Sequence, residues 1–195
     1  MKATKPKIFG LILAGGYSRR MGQDKALMDI NGKPQIEHVF DLLQKHCDKV
    51  FLSKRADQKD YKGIACINDA DEFSNRGPLG GILSAMKKYP GDDWLVIACD
   101  LPFITEETIQ TLLTLRKPQK TATAFISSQD ALPEPLCAIW EGHAYGPTLK
   151  LFNEGTHCPR KILIQSDTHL LKQYNPHWLD NINTPQEYDQ AKNIK

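Results

Sequence analysis

Short apolar runs and stretches of helical periodicity alternate along the first half of this chain. Ile8–Leu13 is an unbroken apolar run bounded by lysines on one side and glycines on the other, the pattern of a strand buried on both faces. Pro34 then opens a segment in which Ile36, Val39, Phe40 and Leu43 fall at i, i+3, i+4 and i+7, which predicts a helix with one apolar face. Val50–Ser53 and Ala65–Asn68 read as further strands. Leu79, Ile82, Leu83 and Met86 repeat the helical spacing until Pro90-Gly91 stops it. Trp94–Cys99 is the most apolar strand and ends at Asp100. Thr105, followed by Glu106 and Glu107, has the composition of a helix start, with a capping hydroxyl and carboxylates where the helix dipole favours them.

The second half is less regular. Ala122–Ser127 and Leu136–Trp140 predict strands separated by a loop from Ser128 to Pro135, and Tyr145–Phe152 and Arg160–Ile164 predict short helices. Thr184-Pro185-Gln186-Glu187 has the form of a capping box with proline at the first helical position, opening a terminal helix. Alternating strands and helices require right-handed crossovers and a mostly parallel sheet covered on both faces. The expectation is a three-layer α/β/α, Rossmann-like sandwich with a mostly parallel mixed sheet, residues 1–195 forming a single domain.

Composition narrows the possibilities. The chain has 195 residues, 41% apolar and 25% charged, enough to bury a core without disulfide or metal staples. Lys+Arg number 25 against 23 Asp+Glu, a net charge of +2, too balanced to argue for nucleic acid or an anionic membrane as partner. The basic, then apolar amino terminus superficially resembles a secretion signal. Its apolar run of about seven residues is short for one and ends in glycines that open a charged segment. No run approaches the roughly 20 apolar residues of a membrane span. Cys47, Cys66, Cys99, Cys137 and Cys158 are odd in number and contain no C-x-x-C, which predicts small buried hydrophobes in a reducing compartment. The expected location is the cytoplasm.

The chemistry concentrates in LAGGYSRRMGQDK, Leu13 to Lys25, directly after the first strand. Its spacing is neither that of a P-loop nor that of the dinucleotide fingerprint. The physics is shared with both: Gly15 and Gly16 let backbone N–H groups approach phosphate oxygens, and Arg19, Arg20 and Lys25 offset several negative charges. Asp100 follows an apolar strand and so stands at the sheet edge where ligands of open α/β folds bind; one carboxylate with phosphate oxygens and water is a usual way to hold Mg2+. Gly77-Pro78-Leu79-Gly80-Gly81 either lets a flat base or sugar lie against backbone or simply starts a helix. Asp69 either accepts from ring or ribose donors of a nucleotide or is a solvated loop carboxylate beside Asp71. Asn181 and Asn183 either reach the site as neutral donors or serve the turn before the last helix. The six histidines lack metal-ligand spacing, and His157-Cys158 has no assigned role.

With these residues in place, the chain resembles nucleotidyltransferases of the nucleotide-diphospho-sugar transferase superfamily. More narrowly, it is similar to the molybdenum cofactor guanylyltransferase family. The matching segments are Leu13-Ala14-Gly15-Gly16, Arg20-Met21-Gly22, Asp24-Lys25, Asn31-Gly32-Lys33-Pro34, Asp69, Gly77-Pro78-Leu79, Cys99-Asp100 and Asn181-Ile182-Asn183-Thr184-Pro185. The resemblance implies GTP held by Leu13, Ala14, Gly15, Gly16, Lys25, Asp69, Gly80 and Asp100, with Mg2+ on Asp100 and with Lys25, Asp100 and Arg20 as the catalytic set. It also implies molybdopterin carrying molybdenum as second substrate, beside Asn181 and Asn183, and transient contact with proteins that supply or accept the cofactor. Departures are Ser53-Lys54 where the family often has Asn, Gly80 where Ala is common, and a Gly155–Lys161 stretch unlike the usual Gly-x-x-Arg-Val. The alternatives are a related transferase using CTP or a sugar-phosphate acceptor, and a nucleotide-binding protein without catalysis.

Overall fold

The computed structural model describes residues 6–14, 32–55, 58, 60–61 and 63–181. One seven-stranded sheet runs through them: β1 (Ile8–Leu13), β2 (Lys49–Lys54), β3 (Ala65–Asn68), β4 (Asp93–Ala98), β5 (Ala122–Ile126), β6 (Pro133–Trp140) and β7 (Thr168–Leu171), in the spatial order β3-β2-β1-β4-β6-β5-β7. β6 alone among them runs against its neighbours β4 and β5; the other four pairings are parallel, so the sheet is mixed and mostly parallel as expected.

Among the described residues five helices cover it: α1 (Gln35–Leu43), α2 (Gly77–Lys88), α3 (Glu106–Leu115), α4 (Tyr145–Asn153) and α5 (Pro159–Gln165). Single 3-10 turns lie at Asp71–Phe73 and Gly142–Ala144. Because side chains alternate along a strand, the apolar runs divide between two cores. Ile12, Leu52, Leu95 and Ile97 pack with Ile36, Val39 and Leu43 of α1 and Ile109 and Leu112 of α3. Leu11, Phe51, Trp94 and Val96 pack on the other face with Leu79, Ile82 and Leu83 of α2, Phe152 of α4 and Ile162 of α5. These are the three layers the alternation predicts. Thr105 caps α3 as expected, in a reciprocal box with Thr108.

Three features differ from the sequence expectation. β6 begins at Pro133 rather than Leu136. Its prolines are tolerated because β4 pairs only from Cys137 onward; the earlier half meets β5 alone, across a bulge. β7, a four-residue edge strand parallel to β5, carries too little alternation to announce itself. Of the five free cysteines only Cys99 and Cys137 are buried; Cys158 is exposed where the chain turns into Pro159 at the start of α5. The expected terminal helix at Thr184 lies outside the described residues. Among the described residues no helix is long and apolar enough to cross a membrane.

The strand order reverses direction at β1: β2 and β3 extend one way from it, while β4 lies on its other side. The crevice outside the carboxyl ends of β1 and β4 is therefore the switch point at which open α/β sheets bind ligands.

Candidate active site

The carboxyl edge gathers candidates that are far apart in sequence. Leu13 closes β1 in register with Ser53 of β2 and Ala98 of β4. The Cys99 N–H donates to the Leu13 carbonyl at 3.1 Å, which ties the start of the glycine-rich loop to the turn carrying Asp100. That turn is also held from α1: the buried Gln35 amide donates to the Leu101 carbonyl at 3.0 Å, and His38 Nε2 meets the Ile104 carbonyl at 3.1 Å. Neither contact has a signal in the sequence. Gly15, Gly16, Arg20, Lys25 and Asn183 lie outside the described residues.

Asp69 leaves β3 on the other flank of the edge. Its N–H donates to the Lys54 carbonyl at 3.1 Å, one step beyond the last register pair of β2 and β3. The next residue, Ala70, is fixed by Ser84 of α2, whose hydroxyl accepts from the Ala70 N–H at 2.8 Å and donates to the Gly80 carbonyl at 2.7 Å. Burial pushes the Asp69 carboxyl up to about 6, against the opposing pull of Arg55. A half-buried carboxylate of that kind at a ligand edge suits accepting a hydrogen bond from a ligand.

The glycines at the start of α2 are explained by packing. A Cβ on Gly80 would lie 2.4 Å from the Phe73 carbonyl oxygen, and one on Gly81 would lie 2.2 Å from Ser53 Oγ and 3.2 Å from Leu13 Cδ2. Gly81 thus lets α2 close onto the ends of β1 and β2. Ser53, standing where the related family often has Asn, is buried against this helix.

Beside Asp100 opens a cleft of about 150 Å³ whose polar lining includes Asp130, Glu134, Arg160, Asp180 and Asn181. Asn181 and Asp100 were both expected at the site, and the structure brings them to one cleft. Arg160 was not expected there. Its guanidinium pairs with Asp130 at 2.8 Å and with Glu134. Burial raises the Glu134 carboxyl, Arg160 opposes this, and Asp130 and Asp100 add to it. A larger hollow of about 270 Å³ sits at the amino end of β2, lined by Phe40, Gln44 and Cys47. It lies away from the switch point, so the chemistry assigns the smaller cleft to the site. His157 lies apart from Asp100: it contacts Arg76 at 3.2 Å and packs on the Phe152 ring.

Among the described residues no group of three His, Cys, Asp or Glu side chains converges as a metal cage. Mg2+ does not need one, since it is commonly held by one or two carboxylates together with substrate phosphate oxygens and water. Asp100, at a strand end lining an open cleft, fits that donor pattern.

A mostly parallel sheet with separated carboxylates along its carboxyl edge and a glycine-rich segment leaving β1 defines a nucleotide-handling α/β protein. Comparison with known proteins narrows this class. The MobA-like NTP transferase domain matches residues 10–170. A molybdenum cofactor biosynthesis bifunctional protein of Synechocystis is 40% identical over 190 residues, covering 96% of this chain but only 54% of that protein, so the chain spans about half of its length. A molybdenum cofactor guanylyltransferase of Shewanella frigidimarina is 30% identical over 192 residues, with 95% of each chain covered. Among solved structures, molybdopterin-guanine dinucleotide biosynthesis protein A of Archaeoglobus fulgidus superposes with a TM-score of 0.77 over 95% of this chain and 97% of that one, at 22% identity, a likeness of fold. The chain belongs to the MobA-like NTP transferase family and is a nucleotidyltransferase.

Proposed function

We propose that this nucleotidyltransferase transfers GMP from GTP to the terminal phosphate of molybdenum-molybdopterin and releases pyrophosphate. The relatives named molybdenum cofactor guanylyltransferase support this reading. The observation that carries it is the position of Asp100 at the switch-point crevice, directly after Cys99, whose N–H donates to the Leu13 carbonyl, and lining a cleft large enough to admit part of a second substrate.

An oxygen of the acceptor phosphate attacks the α-phosphorus of GTP; the bond to the β-phosphate oxygen breaks and pyrophosphate leaves. A phosphate monoester has a second pKa of about 6, so the attacking oxygen is already anionic near neutrality and no general base is needed. The work left to the protein is to align two anions and neutralise their charge. Asp100 would hold Mg2+, which supplies charge neutralisation on the substrate oxygens. Backbone groups from Leu13 to Gly16 would cradle the nucleotide, with Asp69 toward the base or ribose. Lys25 and Arg20 would hold the β- and γ-phosphates and the departing pyrophosphate. The cleft between Asp100 and Asn181, with Arg160 as the guanidinium of its described lining, would receive the molybdopterin; Asn183 belongs to the same segment. The reaction would run in the cytoplasm, with transient contacts to proteins that deliver or accept the cofactor.

The test is pyrophosphate release by purified Asp100→Ala with GTP, Mg2+ and molybdopterin, beside a panel of the four nucleoside triphosphates on the unaltered chain. Loss of the carboxylate should lower the rate by roughly 10² or more. A folded variant that turns over near the wild-type rate would sink the assignment, and a wild-type preference for CTP would redirect the nucleotide.

A further inference from the structure

We infer that Glu134 and Arg160 read the pterin ring of the second substrate: Arg160 donates to the 4-oxo group, and Glu134 accepts from N3–H and the 2-amino group. This rests on molybdopterin being that substrate.

Strand register brings Glu134 to the cleft. β6 runs antiparallel to β4, with Cys137 opposite Ile97. Counting on past that last pair, Glu134 comes level with Asp100, beyond the carboxyl end of β4. The Asp100 charge is near enough to act on the Glu134 carboxyl. Arg160 arrives from α5, which Ile162 and Leu163 anchor in the core on one face of the sheet. Its guanidinium is gripped at two points. Nη1 donates to Asp130 Oδ2 at 2.8 Å, and Nη2 donates to Glu134 Oε1. Asp130 is itself held through its other oxygen, which accepts from the Leu132 N–H at 3.0 Å. The fork is thus preorganised with N–H groups left over, and Glu134 keeps a second oxygen. Both side chains line the cleft, Arg160 31% and Glu134 19% exposed.

The lining favours a ring over a phosphate. Among the described residues that form it, Asp100, Asp130, Glu134 and Asp180 stand against one guanidinium. An anion there meets net negative charge, whereas a neutral ring bearing N–H donors meets acceptors. Gln173 supplies another acceptor. Its Nε2 donates to the Ile126 carbonyl at 2.8 Å, which fixes the amide, and its buried Oε1 has no partner among the described residues. A buried acceptor left in that state is one that a ligand donor would satisfy. Leu101, Leu136 and Leu179 add apolar surface for the faces of a ring. At about 150 Å³ the cleft falls below the roughly 300–1,000 Å³ of a site that encloses a whole drug-sized ligand, and it suits one ring system. The terminal phosphate then points toward Asp100 and the nucleotide.

The ring edge matches the pair. A pterin sets one acceptor, the 4-oxo group, beside two donors, N3–H and the 2-amino group. A guanidinium and a carboxylate already joined side by side offer the complementary order. A lumazine carries oxygen in place of the 2-amino group and so turns an acceptor toward the carboxylate. Guanine shares the pterin edge, so the two rings must be told apart by the test.

The probes are 6-hydroxymethylpterin phosphate and 6-hydroxymethyllumazine phosphate. Their affinities are measured by ligand-observed NMR, which reads millimolar binders, on the full chain with Mg2+ and α,β-methylene-GTP, whose bridge the reaction cannot cleave. The wild type should prefer the pterin roughly 5- to 150-fold. Glu134→Gln should bring that ratio close to one while the GTP analogue binds as before, which also shows that the variant is folded. Glu134→Asp, which keeps the charge, should retain part of the preference. A merely structural Glu134 would weaken both rings together and leave their ratio untouched, which would overturn the assignment, as would equal binding of the two rings by the wild type. If Glu134→Gln instead erased a preference for GTP over ITP, which lacks the 2-amino group, and spared the pterin to lumazine ratio, guanine would occupy the cleft and the assignment would fall. A wild type that binds the GTP analogue but neither ring would refute the molybdopterin reading itself.

Discussion

Arg116 gives the sharpest separation of stability from function in this molecule. It follows α3 and pairs with Asp93, the first residue of β4, and with Glu141, just past the end of β6. The three side chains are 12%, 6% and 1% exposed. Arg116 Nε donates to Glu141 at 2.9 Å, and Asp93 also accepts the Gly142 N–H at 2.9 Å. The cluster sits at the amino end of β4, opposite the edge that bears Asp100. Arg116→Ala would strand two buried carboxylates beside one another. Breaking a buried pair in this way costs about 3–5 kcal/mol. At 2–4 °C per kcal/mol for a chain of this size, the melting temperature should fall by roughly 6–20 °C. Burial already raises the Glu141 carboxyl while Arg116 opposes it, so without the arginine the folded-state pKa should rise further. A folded-state pKa above the unfolded one means stability lost as pH rises, so the deficit should be larger at pH 8 than at pH 5. The assay is urea unfolding at both pH values, with GTP titrated into the fraction that remains folded. A loss under about 1 kcal/mol, or a deficit that grows toward acid, would refute the reasoning. So would a change in nucleotide affinity of the folded protein.

Two further outcomes bear on the nucleotide edge. Ser84→Ala leaves the Ala70 N–H without its hydroxyl acceptor and frees the backbone next to Asp69; it should cost about 1–3 kcal/mol and raise KM for the nucleotide more than it lowers kcat, checked by unfolding and steady-state kinetics. Asp69, pushed up to about 6, carries a folded-state pKa above its unfolded value. Its contribution to stability is therefore fully present below about pH 4 and lost as pH rises through 6. Asp69→Asn should melt higher than wild type at pH 7.5 without ligand, lose that advantage near pH 4, and abolish any rise in GTP affinity through pH 6.

Much of this architecture was legible locally. The apolar runs of β1 and β4 and the i, i+3, i+4, i+7 spacing of α1 and α2 state their own conformations, because burial on one face or two leaves a periodic trace. β7 left none, since an edge strand of four residues needs little apolar surface. The first half of β6 hid behind Pro133 and Pro135, which are acceptable only because β4 ends before reaching them. The site divided the same way. Asp69, Asp100 and Asn181 could be singled out from residue type and position in the chain. Gln35, Arg55, Ser84 and Arg160 could not, because each reaches the site through a contact remote in sequence or through strand register.

The sequence by itself therefore determined the class of fold and the chemistry on offer: alternating elements, a glycine-rich segment with cations after β1, and carboxylates at strand ends. The tertiary structure alone decided which of those groups share an edge. The reversal of strand order at β1 puts Leu13 beside Asp100, the register of β2 with β3 puts Arg55 beside Asp69, and the antiparallel β6 carries Glu134 to the same cleft as Asp100. Periodicity reports how each segment meets the core, whereas pairing between strands is set by packing across the whole sheet, which no local window contains.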